Sequence, residues 1–227
     1  MWSFFETKAG GAYPLFDGLL FDLDGTLWDS VDAICLSWNS VLERRNPQLA
    51  GLVTRENVTG CMGMLLPDIV KKLVPDIPKE EIRPLLDELL VVENDYVATH
   101  GGVLYPRVEE TLERLARDYP LFIVSNCQDG YIEAFFQAHG LGRFFKDYEN
   151  PGRTGKPKGD NIALMVQRNG LKHPLYIGDT HGDYNAATQA GVPFLHAAYG
   201  FGHIDREVPR VEAFEDIPAA VERLSPP

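Results

Sequence analysis

The segment Gly18-Leu19-Leu20-Phe21-Asp22-Leu23-Asp24-Gly25-Thr26 constrains this chain more than any other. A short apolar run that turns acidic at its end reads as a buried parallel strand whose carboxyl end meets solvent, and Gly25-Thr26 stops it. With Asp and Thr each at about 5% abundance and Gly at about 7%, Asp-x-Asp-Gly-Thr arises by chance on the order of once in several hundred chains of this length. Two carboxylates one residue apart would share a face of a continuing strand. Gly25 lets the backbone turn away, so one can point at a substrate while the other approaches from the side. That suits Asp22 as a nucleophile or metal ligand and Asp24 as a general acid and base. The blander account, a hairpin turn with both acids solvated, is disfavoured because the segment that follows is helical.

Periodicity organises the rest of the chain. Val31, Ile34, Cys35, Trp38, Val41 and Leu42 recur at helical spacing behind the capping candidates Asp29 and Ser30. The stretch to about Gly102 reads as wholly helical. A second apolar face runs through Ile82, Leu85, Leu86, Leu89, Leu90, Tyr96 and Val97, with Pro84 near a helix start or kink. From Tyr105 the pattern changes: a helix at Val108, Leu112 and Leu115, a strand over Leu121-Phe122-Ile123-Val124, and a helix from Tyr131 to His139 with Gly140 as its C′ residue. Next come a strand near Phe144–Tyr148, a helix Asp160–Asn169 closed by Gly170, a strand at Leu175-Tyr176-Ile177, a helix through Ala186, Ala187 and Ala190, and a strand Val192–Leu195. Alternating strands and helices imply an α/β fold, a doubly wound parallel sheet. Residues 1–29 and 104–227 are expected to form this core, with residues 30–103 an inserted all-helical cap.

Three of these strands end in polar residues: Asp22 with Asp24, Ser125 with Asn126, and Asp179. Ligands of open parallel sheets bind at the carboxyl ends of strands, so these groups are expected to converge.

Composition sets the outer limits. The chain has 227 residues, 44% of them hydrophobic, and a net charge of -12 from 33 acidic and 21 basic residues. A full core is feasible, and the charge argues against nucleic acid or an anionic membrane as partner. It does not exclude a phosphorylated substrate, because a bound metal inverts the local sign. Cys35, Cys61 and Cys127 are widely spaced and odd in number, which fits reduced thiols in a cytoplasmic protein. Met1–Glu6 has no basic region and is not expected to be a signal peptide, and no apolar stretch reaches the length of a membrane span.

The chain resembles the haloacid dehalogenase-like superfamily, whose first motif is Asp-x-Asp-Gly-Thr. Ser125, closing a hydrophobic strand, resembles the second motif, and Gly178-Asp179-Thr180-His181-Gly182-Asp183 resembles the fourth. The resemblance covers nearly the whole chain. Asp-Gly-Thr-Leu-Trp-Asp-Ser (residues 24–30) and Tyr199-Gly200-Phe201-Gly202 look closest to phosphoglycolate-phosphatase-like members. It implies that Asp22 attacks phosphorus to form an aspartyl-phosphate, and that Asp24 protonates the leaving oxygen and then activates water. It further implies that the Asp24 carbonyl, Asp22, Asp179 and Asp183 hold or support Mg²⁺, that Ser125 and Asn126 hold phosphate oxygens, and that Thr26, grouped with the substrate-binding residues, steadies the loop near Asp24.

Electrostatics independently call for a cation. Like charges about 4 Å apart repel by roughly 4 kcal/mol at an effective dielectric of 20, so clustered carboxylates facing a phosphate would repel it. All-oxygen ligands select a hard ion such as Mg²⁺. A lysine is also needed, and two are offered. Lys156 fits the family's Lys-Pro-x-x-Asp form and Lys158 its Lys-Gly-x-x-aliphatic form; Lys158 is preferred because it lies closer to the helix N-terminus.

Several residues take plainer accounts: Cys127 as a small buried thiol and His181 as a loop histidine. Gly152–Lys156 is no P-loop, since Pro157 and the spacing are wrong. Gly60-Cys61-Met62-Gly63-Met64 could be a cap loop over the substrate. Tyr105-Pro106-Arg107-Val108 has Arg where the family's pattern has Gly, which bears on a turn and not on catalysis. The expected function is Mg²⁺-dependent hydrolysis of a small phosphorylated metabolite, by a monomer or homodimer. A sugar phosphomutase is the alternative within the fold, disfavoured because no Lys, Arg or His lies between Val31 and Glu43. A phosphate-binding module without turnover is the alternative outside enzymes.

Overall fold

The computed structural model describes residues 16–224. The opening segment Met1–Glu6 lies outside them. The chain runs through β1 (Gly18–Phe21), β2 (Trp28–Asp29), α1 (Val31–Arg45), α2 (Arg55–Thr59), α3 (Leu66–Leu73), α4 (Lys79–His100) and β3 (Val103–Leu104). It continues through α5 (Val108–Asp118), β4 (Leu121–Val124), α6 (Tyr131–His139), β5 (Phe145–Glu149), α7 (Pro151–Thr154) and α8 (Lys158–Asn169). The final elements are β6 (Pro174–Gly178), α9 (His181–Ala190), β7 (Phe194–Ala197), β8 (Arg210–Val211) and α10 (Ile217–Leu224).

Six strands form one sheet in the order β5-β4-β1-β6-β7-β8, and every pairing in it is parallel. From β1 the chain first builds outward to β4 and β5. It then returns to the other side of β1 for β6, β7 and β8. The order therefore reverses at β1, and such a switch point opens a crevice at the carboxyl ends of the strands.

Side chains alternate across the sheet with the two-residue period of a strand. Leu19, Phe21, Leu121, Ile123, Leu175 and Ile177 pack with α5, α6 and α10 on one face. Leu20, Phe122, Val124 and Tyr176 pack with α8 and α9 on the other, where Ala186 and Ala187 allow a close approach. The inner strands β1, β4, β6 and β7 are buried on both faces, which is why they read as apolar runs.

Between β2 and β3 the chain is helical. α1 to α4 enclose a separate apolar cluster that includes Val31, Trp38, Leu42, Val70, Leu85 and Leu89. β2 and β3 pair antiparallel, Trp28 with Leu104 and Asp29 with Val103, and tie the two ends of this helical segment together. The apolar pattern did not announce this two-residue ribbon. Pro84 lies inside α4, which begins five residues earlier at Lys79. Ser30 stands at the N-cap position of α1 but makes no side-chain cap bond there.

Candidate active site

The crevice at the end of β1 gathers the polar strand ends. After Phe21 the backbone leaves the sheet, and the Leu23–Thr26 turn closes through Thr26 and Leu27 amides donating to the Leu23 carbonyl. Gly25 adopts φ 79°, and a Cβ there would lie 2.1 Å from Asp179 Oδ2. A side chain is excluded both by conformation and by the carboxylate. Gly200 is excluded similarly, since its Cβ would lie 2.3 Å from the Gly25 carbonyl and 2.4 Å from Asp179 Cβ. The late Tyr199-Gly200-Phe201-Gly202 segment thus closes the back of the site. Phe201 donates its amide to Asp179 Oδ2 at 2.8 Å, and Tyr199 its hydroxyl to the Thr26 carbonyl at 2.8 Å.

Asp22, Asp179 and Asp183 are buried, and an oxygen from each lies within 4.8 Å of the others. Lys158 stands among them. Its Nζ donates to Asp183 Oδ1 at 2.5 Å and lies 2.9 Å from Asp22 Oδ1. Lys158 is the first residue of α8, where the helix dipole opposes a positive charge. The two carboxylates outweigh that opposition. Asp183 is used on both oxygens: Oδ1 takes Lys158, while Oδ2 accepts the Thr180 amide at 2.9 Å and hydroxyl at 2.6 Å in a capping box that starts α9.

Asp24 is oriented by three donors on one oxygen. Its Oδ1 accepts Trp28 Nε1 at 2.9 Å, Ser30 Oγ at 2.5 Å and Tyr131 Oη at 3.1 Å. Ser30 spends its hydroxyl here, which explains the missing helix cap. The Asp24 side chain stands apart from the three grouped carboxylates, which leaves its main-chain carbonyl as its candidate metal ligand.

Charge is frustrated within this cluster. Burial first, and then Asp183, push Asp22 up to about 7 against the pull of Lys158. Burial, Asp183 and Asp22 raise Asp179 well above the carboxylate range. Burial also raises Asp24, and the bonds from Ser30, Tyr131 and Trp28 oppose it. In Asp183 burial is outweighed by Lys158 and Thr180, which hold its carboxyl low. Lys158 is kept protonated by Asp183 and Asp22 against its own burial. Asp179 Oδ1 is buried and accepts no hydrogen bond. An orphaned anionic oxygen beside two further carboxylates fits a hard divalent cation, which would relieve the repulsion.

Above the carboxylates lies a cavity of about 60 Å³ between the sheet and the helical segment. Asp22, Asp24, Ser125, Asn126 and Lys158 reach it from below. Met62, Gly63 and Met64 cover it, so the loop from Gly60 does lie over the site. Asn126 Nδ2 donates to the Gly63 carbonyl at 3.0 Å and joins the two layers.

Two expected site residues do not line this cavity. Thr26 stays in the turn beside Asp24, its amide donating to the Leu23 carbonyl and its Oγ1 buried without a partner. Lys156 is exposed on the loop before α8, facing the outer cleft between α3, α4 and Pro151–Pro157. The two-residue step to Lys158, across Pro157 and into the helix, separates a solvated lysine from a buried one. His181 is exposed at the start of α9, and Cys127 borders the cavity with its thiol pushed up by burial and then by Asp24 and Asp22.

Sequence reasoning missed Tyr131, Gln128 and Glu93. Glu93 had a signal. It continues the i, i+4 row Leu85, Leu89, Glu93, Val97 that forms the buried face of α4, so an acid interrupts an apolar stripe.

The family model described as haloacid dehalogenase-like hydrolase matches residues 19–197. The phosphoglycolate phosphatase of Rhodobacter capsulatus is 31% identical over 209 residues, covering 88% of this chain and 93% of that protein. The phosphoglycolate phosphatase of Pseudomonas syringae pv. syringae (strain B728a) is 29% identical over 208 residues, covering 88% and 75%. Among solved structures, a predicted phosphoglycolate phosphatase from Haemophilus somnus 129PT superposes with a TM-score of 0.78 at 25% identity, covering 90% of this chain and 97% of that one.

Proposed function

Because this chain belongs to the haloacid dehalogenase-like hydrolases and is a phosphatase, we propose that it cleaves a small phosphate monoester through an aspartyl-phosphate on Asp22. The observation that carries this reading is the convergence of Asp22, Lys158, Asp183 and the orphaned Asp179 Oδ1 beneath one cavity.

The Asp22 carboxylate attacks phosphorus, and the P–O bond to the alcohol breaks. Asp24 gives its proton to the departing oxygen. Its raised pKa keeps that proton available, and three donors fix the direction from which it is delivered. The ionised Asp24 then takes a proton from water, which attacks the phosphorus and returns Asp22. Lys158 offsets charge between nucleophile and phosphate, and the Ser125 hydroxyl with the Asn126 amide receives phosphate oxygens. Asp22, Asp179 and the Asp24 carbonyl, with Asp183 beside them, would hold Mg²⁺, which supplies the positive charge that makes a dianion welcome. Met62, Gly63 and Met64 exclude bulk water from the reacting atoms.

No described helix is long and apolar enough to cross a membrane. The curated relatives above are named for phosphoglycolate, the first candidate by name. The reading is tested by assaying an aryl phosphate with Mg²⁺ and with EDTA. Mg²⁺-dependent release of phosphate is expected, and binding of phosphate esters without turnover would refute it.

A further inference from the structure

Among the described residues, the cavity that would hold the alcohol part of the substrate contains no free positive charge. Lys158, the one cation among the described lining residues, is 5% exposed and committed to Asp22 and Asp183. Arg55, on the same short helix as Val58 of the lining, is bound to Asp29 and Asp32 instead. Arg83 and Lys156 line the outer cleft, not this cavity.

What the helical segment does contribute is Glu93, an acid 3% exposed. Its Oε1 accepts Gln128 Nε2 at 3.0 Å and its Oε2 accepts the Trp38 indole N–H. Both donors are neutral, and each oxygen keeps a lone pair. A buried carboxylate without a counter-charge is costly, and a ligand that brings a donor or a positive charge lowers that cost. Burial first, and Asp24 last, push Glu93 up to about 7, while the Gln128 and Trp38 bonds work against them. Ile34, Trp38, Val58, Met62 and Ile69 make the remaining wall apolar. At about 60 Å³ the space is far below the roughly 300–1,000 Å³ of drug-sized pockets, so the alcohol part is small.

We propose that the substrate is a small phosphate monoester whose alcohol part presents a hydrogen-bond donor, hydroxyl or ammonium, to Glu93 and carries no anionic group. This rests on the phosphatase reading above and departs from the relatives' names. A carboxylate placed against this wall would face Glu93, with no uncommitted cationic side chain among the described lining residues to receive it.

Three esters of nearly equal size separate the possibilities: phosphoglycolate, 2-hydroxyethyl phosphate and O-phosphoethanolamine, whose terminal groups are anionic, neutral and cationic. Their kcat/KM values are compared at pH 8 with Mg²⁺, where Glu93 is ionised, beside an aryl phosphate. Phosphoglycolate is expected at least about tenfold below the other two. Whichever of the hydroxyl and ammonium esters is faster identifies the donor. Glu93→Gln, checked for its fold by thermal unfolding, is expected to shrink the gap to about threefold. Phosphoglycolate matching or exceeding 2-hydroxyethyl phosphate overturns the proposal, and so does a gap unchanged by Glu93→Gln. Cleavage of the aryl phosphate alone also overturns it but leaves the phosphatase reading standing. No cleavage of any ester overturns both.

Discussion

Lys158 holds its ammonium 2.9 Å from Oδ1 of Asp22, and both side chains are almost wholly withdrawn from solvent. The pair joins α8 to the end of β1 at the point where the sheet order reverses. A lysine this deeply buried against a helix N-terminus is kept by its carboxylates, whereas Lys156 is solvated. Lys158→Met should therefore lower kcat by at least about 100-fold. Lys156→Met should keep kcat within about threefold, as a surface change does. Steady-state kinetics on the two variants check this, with circular dichroism confirming that each is folded.

Asp179 predicts how the protein responds to a metal. Mg²⁺ should raise the Tm of the native chain, because an ion that binds only the folded state stabilises it. Asp179→Asn should lose that shift. Without divalent cations at pH 8 the variant should be at least as stable as the native chain, since the amide ends the repulsion that raises Asp179. Thermal unfolding of both proteins with Mg²⁺ and with EDTA provides the comparison.

Glu93 gives stability a pH dependence with a definite sign. Its carboxyl moves from 4.5 to about 7 on folding, so between these values the folded state binds more protons than the unfolded one. Stability contributed by this group is complete below about pH 4.5, falls as pH rises, and levels off above about pH 7. The full span is about 3 kcal/mol by linkage. The stability difference between Glu93→Gln and the native chain should change over that window in favour of the variant. Urea unfolding from pH 4.5 to 8 measures it.

Arg107, at a turn where Gly was expected, is the only non-glycine among the described residues with positive φ, at 60°. The left-handed conformation costs a side-chain-bearing residue about 1–2 kcal/mol. Its ion pairs with Glu110 and Glu215 are exposed and recover little of that. Arg107→Gly should raise stability by up to about 1 kcal/mol and leave activity unaltered. Chemical denaturation alongside an activity assay decides it.

The sheet was legible because its inner strands are buried on both faces, and Leu121–Val124 or Leu175–Ile177 can be read as continuous apolar runs. The acids of the candidate site were legible because a polar residue at a strand's carboxyl end has few structural reasons to be there. Asp183 could be named but not its double use, since the capping box and the Lys158 pair meet only when α8 and α9 pack side by side. The choice between Lys156 and Lys158 depends on where α8 begins, and local propensity leaves helix starts loose by a residue or two. Tyr131 reaches Asp24 across 107 positions of sequence, a distance no local pattern spans. Thr26 shows the opposite limit: its motif position was plain, yet its buried hydroxyl finds no hydrogen-bond partner and does not line the cavity.

A phosphorylated Asp22 is the intermediate on which the proposed reaction depends. A ³²P-labelled ester mixed with enzyme and Mg²⁺, then quenched in acid within a single turnover, should leave hydroxylamine-sensitive label on the peptide containing Asp22. Asp22→Asn should show neither label nor turnover. Turnover without labelled protein, or activity retained by Asp22→Asn, would contradict the account.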